Sequence, residues 1–143
     1  MWIFTKKGFV SIVEDRNDPN CLLVRSRIKG DLERIFKNAL GSVHTEVSET
    51  PDADYRFRVF LPRDLVASTI QEEAQDIDYD NFKNGYRDNG DVPAAQRSLC
   101  HNHMHDVWGA MMNAQREAQN LEEDYEKESY SAGFRPTYRS VGK

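Results

Sequence analysis

A chain of 143 residues, 38% hydrophobic and 30% charged, has the length of one domain and enough apolar content to bury a core without metal or disulfide support. Its net charge of -5 argues against general adhesion to nucleic acid or to anionic membranes, which rests on a positive surface field. Cys21 and Cys100 form neither a CxxC pair nor a disulfide framework, and the apolar run Met1-Trp2-Ile3-Phe4 is too short for a signal-peptide core or a membrane span, so a cytoplasmic protein is expected.

Residues 9–14 are rich in β-branched and aromatic side chains and predict a strand, which the turn formers Asp15-Arg16-Asn17-Asp18-Pro19-Asn20 end. A second strand is expected over 21–28. Gly30-Asp31 then open a helix with Leu32, Ile35, Phe36 and Ala39 at helical spacing, closed by Gly41. Val43, Thr45 and Val47 alternate with His44, Glu46 and Ser48, and the turn Thr50-Pro51-Asp52-Ala53-Asp54 leads into a second alternating run over 55–61, which together predict a hairpin. Pro62 suits the entry to a helix whose Leu65, Val66, Thr69, Ile70 and Ala74 make one apolar stripe, with Glu72 and Glu73 facing away. The order strand, strand, helix, strand, strand, helix predicts an α+β fold with a four-stranded antiparallel-type sheet, arranged as a circularly permuted ferredoxin-like sandwich.

Asn84-Gly85 and Asn89-Gly90 mark irregular connections, after which Pro93 introduces the longest helix, expected over 94–125. Along it Cys100, Met104, Val107, Met111, Ala114, Ala118, Leu121 and Tyr125 recur in alternating steps of four and three. Such a seam serves either a homodimer through the helix or packing across the chain's own sheet. Residues 1–128 are expected to form one domain, and 129–143, with Gly133 and Pro136, a tail in which Tyr130, Phe134, Arg135, Tyr138 and Arg139 make a candidate partner-binding peptide.

Several short pieces stand in a distinctive order: Met1-Trp2, Phe4-Thr5, Gly8-Phe9, Val24-Arg25, Asp78-Tyr79-Asp80-Asn81-Phe82-Lys83 and His105-Asp106-Val107-Trp108. In these the chain resembles a family of uncharacterised small bacterial and phage proteins. The resemblance runs over 1–115 and implies one unit without a secretion signal. It implies no activity.

Strand parity supplies the main candidate site, because successive side chains on a strand point to opposite faces. Tyr55, Phe57, Val59 and Leu61 fall on one face with Leu22, Val24 and Ile28, which leaves Arg25, Arg27, Arg56, Arg58 and Phe60 on the other with Leu23. In the ferredoxin-like order these two strands lie side by side at the centre of the sheet, so four guanidinium groups are expected to cluster beside aromatic rings, an arrangement suited to an anionic partner, whether a protein surface or RNA or a nucleotide. The competing reading has the long helix cover this face and Asp76, Asp78, Asp80 or Asp106 neutralise the arginines. A second candidate is a divalent metal held by His101 and His105, four apart on the helix, with Asp78 and Asp80; its weakness is the need for a third ligand close by. No other cofactor is expected, since no Gly-x-Ser-x-Gly elbow, phosphate-cradling glycine loop or HExxH is present. The favoured expectation is a binding module without enzymatic activity, of the inhibitor or adaptor type found in phage, engaging a protein partner; an RNA binder and a metal-dependent hydrolase are the alternatives.

Overall fold

A computed structural model describes residues 1–131, with side chains through Glu128. The chain divides into two units, Met1–His101 and Asn102–Lys143. In the first, among the described residues, five strands form one antiparallel sheet: β1 (Trp2–Thr5), β2 (Gly8–Glu14), β3 (Cys21–Ser26), β4 (Ser48–Glu49) and β5 (Phe57–Pro62), in the order β1-β2-β3-β5-β4. The α+β class is as expected, but the sheet has one strand more than the four read from the sequence. That strand is β1, which folds back so that Phe4 lies opposite Phe9 and Trp2 opposite Ser11. Its alternation spans only four residues, too few to stand out as a period.

The helices of this unit are α1 (Asp31–Ile35), α2 (Lys37–Val43), α3 (Arg63–Gln75), α4 (Phe82–Asp88) and the start of α5 (Ala94–Ser131). The single helix expected after Gly30 is divided at Phe36, where φ is -104°. Gly41 does not close it. The helix continues to Val43, and His44 terminates it in the left-handed region at φ 49°. Because Val43 is thereby helical, the strand expected from there shrinks to the two residues of β4. The region around Asn84-Gly85 is α4 rather than irregular chain: the Asn81 side chain accepts the Lys83 N–H at 3.1 Å and caps it.

The core lies between one face of the sheet and α1 to α3. Val10, Ile12, Val24, Phe57, Val59 and Leu61 alternate inward and meet Leu32, Ile35, Phe36, Ala39 and Val66. Burying each of these side chains other than Ala39 contributes about 1.5–3 kcal/mol against its exposed state. Glu73 departs from the expected outward position, because it is turned to Lys7 in an ion pair. At one end of the core sits a buried carboxylate, Asp31, which accepts hydrogen bonds from the Phe9 N–H at 3.1 Å, Ser26 Oγ at 3.1 Å, Arg34 Nη2 at 2.5 Å and Gln96 Nε2 at 3.0 Å. It thereby ties β2, β3, α1 and the first turn of α5 together. Gly8 passes so close that a Cβ there would lie 2.6 Å from Asp31 Cγ.

The second unit is described from Asn102 to the end of α5 at Ser131, six residues beyond the expected helix end. The rest of the expected tail and its candidate peptide, except Ser129 to Ser131 of the helix, lie outside the described residues. Along 107–128 the described side chains of this arm are exposed, apart from the half-buried Gly109 and Met112. Among the described residues no helix is long and apolar enough to cross a membrane.

Candidate functional site

β3 and β5 are adjacent central strands, with Arg25 directly opposite Arg58 and Leu23 opposite Phe60. Strand parity therefore sends both arginines away from the core, and the face they occupy is ordered in rows. One row across the sheet is Trp2, Ser11, Arg25 and Arg58; on one side of it lie Phe4 and Phe9, on the other Val13, Leu23 and Phe60. A band of positive charge thus runs between two apolar rows. Trp2 is 62% exposed and Phe60 51% exposed, so rings remain open to solvent at both margins. Phe9 stacks on Phe4 with centroids 4.4 Å apart and meets the Trp2 ring at a right angle with centroids 5.6 Å apart, which orders the aromatic row.

Arg25 and Arg58 are half-buried, and two like charges facing each other across a strand pair are unfavourable unless something compensates. Part of the compensation is Tyr55. Its buried ring lies 4.4 Å from the Arg25 guanidinium and 4.1 Å from that of Arg27, and its carbonyl accepts from Arg58 Nη2 at 2.8 Å. Arg25 Nη2 also donates to Ser11 Oγ at 3.0 Å. Among the described residues no carboxylate forms an ion pair with Arg25, Arg27 or Arg58, and the buried Nε atoms of Arg25 and Arg58 have no hydrogen-bond partner.

Tyr55 is a correction to the parity reading, which grouped it with Phe57, Val59 and Leu61. β5 begins only at Phe57, so alternation does not extend back to Tyr55, and its ring serves the arginine side. Arg56 also departs from the expected cluster: its Nε and Nη2 bind Glu49 at 2.6 and 2.5 Å, so β4 neutralises it at the sheet edge. Arg25, Arg27, Arg58 and Phe60 remain together on this face as the candidate site. Trp2 and Phe4 were missed because β1 was missed.

The carboxylates expected as alternative partners are engaged elsewhere or exposed. Asp78 pairs with Lys6 at 2.8 Å, which holds its carboxyl below the usual range and raises the Lys6 ammonium. Asp80 is exposed, and Asp106 accepts from His103 at 3.2 Å. The segment from Asp78 to Lys83 instead docks α4 on β1, with the Phe82 ring 6.3 Å from both Phe4 and Tyr79. Among the described residues no group of three or more His, Cys, Asp or Glu side chains is placed to hold a metal ion. Cys100 is buried, and burial raises its thiol while the Tyr86 hydroxyl hydrogen-bonded to it pulls the other way. Compared with family models, with curated proteins and with solved structures, the chain finds no match in any of the three.

Proposed function

We propose that this chain is a binding module, acting as an inhibitor or adaptor, whose outer sheet face engages an acidic patch on a protein partner. The observation that carries the reading is the register pair Arg25 and Arg58, half-buried, without a carboxylate counter-ion among the described residues, and set between exposed Trp2 and Phe60. Tryptophan, tyrosine and arginine side chains anchor interfaces because they bury much area in well-packed, desolvated contacts. Guanidinium forks that are already held in place by Tyr55 accept a carboxylate pair at small further ordering cost. A net charge of -5 favours a protein partner over a polyanion such as RNA, since a nucleic acid meets the repulsion of the whole surface and not only the local band.

The strand order supports a finer reading of the fold. With β1 set aside, β2-β3-β5-β4 with helices following β3 and β5 is the order expected of a permuted ferredoxin-like sandwich, and the core-facing helices leave the opposite face for binding.

The test is comparative capture from a host extract with wild-type, Arg58→Ala, Phe60→Ala and Arg16→Ala chains as baits, followed by titration of a labelled single-stranded oligonucleotide. A protein retained by wild type and by Arg16→Ala, lost from the other two and eluted by salt is the expected result. Identical protein sets on all four baits sink the reading. Salt-steep oligonucleotide binding that Arg58→Ala abolishes would replace the protein partner with a nucleic acid.

A further inference from the structure

The arm formed by the second unit poses a separate physical problem. A helix in a protein draws most of its stability from covering an apolar face, and this one also contains the weak helix formers Gly109, Asn113 and Asn120. Its seam is nonetheless apolar and regular: Val107, Met111, Ala114, Ala118, Leu121 and Tyr125 follow the alternating three- and four-residue steps of a coiled-coil interface. All six are exposed, Met111 at 66% and Leu121 at 71%. We propose that a second copy of the chain covers this seam, and that the two arms pair antiparallel with Arg116 at the dyad.

Two observations select that geometry. The first is the distribution of charge. Over 117–128 the arm carries Glu117, Glu122, Glu123, Asp124, Glu126 and Glu128 against Lys127, whereas over 102–115 its one acidic residue is Asp106. A parallel pair lays the two acidic halves side by side and sets Glu117 against Glu122 of the other copy on both flanks. An antiparallel pair lays each acidic half beside the nearly neutral half of the other arm, and it also opposes the two helix dipoles. The second is the order of side-chain sizes. About a dyad at Arg116, Ala114 faces Ala118, Met111 faces Leu121 and Val107 faces Tyr125. Small residues thus meet at the centre, where the backbones approach, and large ones meet at both ends, where they fill the wider gap. The one like-charge contact left on the flanks is Glu117 with its own copy near the dyad.

Sedimentation equilibrium of the full chain gives the first readout: a mass twice 16.6 kDa is expected. Met111→Glu with Leu121→Glu should weaken self-association by ~100-fold or more, because it buries charge on both copies, while near-ultraviolet circular dichroism reports an unchanged first unit. Orientation is read in a background with Cys21→Ser. Val107→Cys combined with Tyr125→Cys should form intermolecular disulfides on mild oxidation. Val107→Cys alone should not, since the two copies of residue 107 lie about 27 Å apart in the antiparallel pair at ~1.5 Å per residue. A monomer at all concentrations, a dimer that survives the double glutamate change, or rapid cross-linking of the single Val107→Cys variant each overturns the proposal. Glu117→Gln adds a test of the register, because removing the dyad contact should tighten the dimer.

Discussion

Asp31 shows how one side chain couples the fold to pH. Four donors converge on it and favour the charged form, yet burial dominates and raises its pKa to about 6 from an ordinary 3.8. The folded chain therefore binds this proton more tightly than the unfolded chain does. Asp31's contribution to stability is fully present below the unfolded value, near 4, and is lost as pH rises through 6. At about 1.4 kcal/mol per pKa unit, the part that Asp31 adds between neutral and acid pH is at most roughly 3 kcal/mol. Urea midpoints measured at about pH 5 and about pH 7 should differ less, or in the opposite sense, for Asp31→Asn than for wild type; parallel profiles for the two proteins refute the assignment. The same carboxylate crowds Gly8, because a methyl group there meets Asp31 Cγ at 2.6 Å and Asp31 is held from four sides. Gly8→Ala should cost about 1–3 kcal/mol, the range for overpacking a filled interior, and lower the melting temperature by several degrees.

At the scale of elements, α4 is held by aromatic contacts more than by its own sequence. Asn81 caps it, but Gly85 stands mid-helix, and the reason is the Tyr79 ring: a Cβ at Gly85 would lie 3.0 Å from Tyr79 Cγ and Cδ1. Gly85→Ala gains helix propensity and loses this packing. Hydrogen exchange should show faster opening of 82–88 in the variant with β3 and β5 unchanged, whereas slower opening would mean that propensity wins. The same elements mark where sequence reasoning succeeded and failed. β2, β3, β5 and α3 are legible because each has five or more residues with a clean period; parity puts Arg25 and Arg58 on one face, and their adjacency needs the strand order as well. β1 offers four residues, β4 two, and α4 has a glycine at its centre whose purpose is set by a ring from another segment. Tyr55 lies on the arginine side because regular alternation begins only at Phe57, the start of β5. Those errors share a cause: a period is visible only where it repeats, while caps, aromatic stacks and ion pairs such as Arg56 with Glu49 are tertiary facts.

For the molecule as a whole, charge is divided between its surfaces in a way that gives opposite responses to salt. The outer sheet face carries Arg25, Arg27 and Arg58 without carboxylate partners among the described residues, while the arm concentrates six carboxylates over 117–128 and the chain totals -5. Binding of an acidic partner to the sheet brings opposite charges together, and screening weakens it. Pairing of two arms brings two anionic chains together even in the antiparallel geometry, and screening strengthens it. Raising sodium chloride from about 0.05 to about 0.5 M shortens the screening length to a few ångströms, less than the spacing between the arms' acidic halves but not less than a direct arginine–carboxylate contact. Partner affinity should therefore fall several-fold over this range and level off, because the close contacts survive, while the dimer tightens until only its apolar seam sets the affinity. Sedimentation and partner titration on the same samples separate the two effects. If both associations weaken together, the arms are held by attraction between unlike charges, and the acidic half must then be paired with the cationic sheet face of the other copy rather than with its arm.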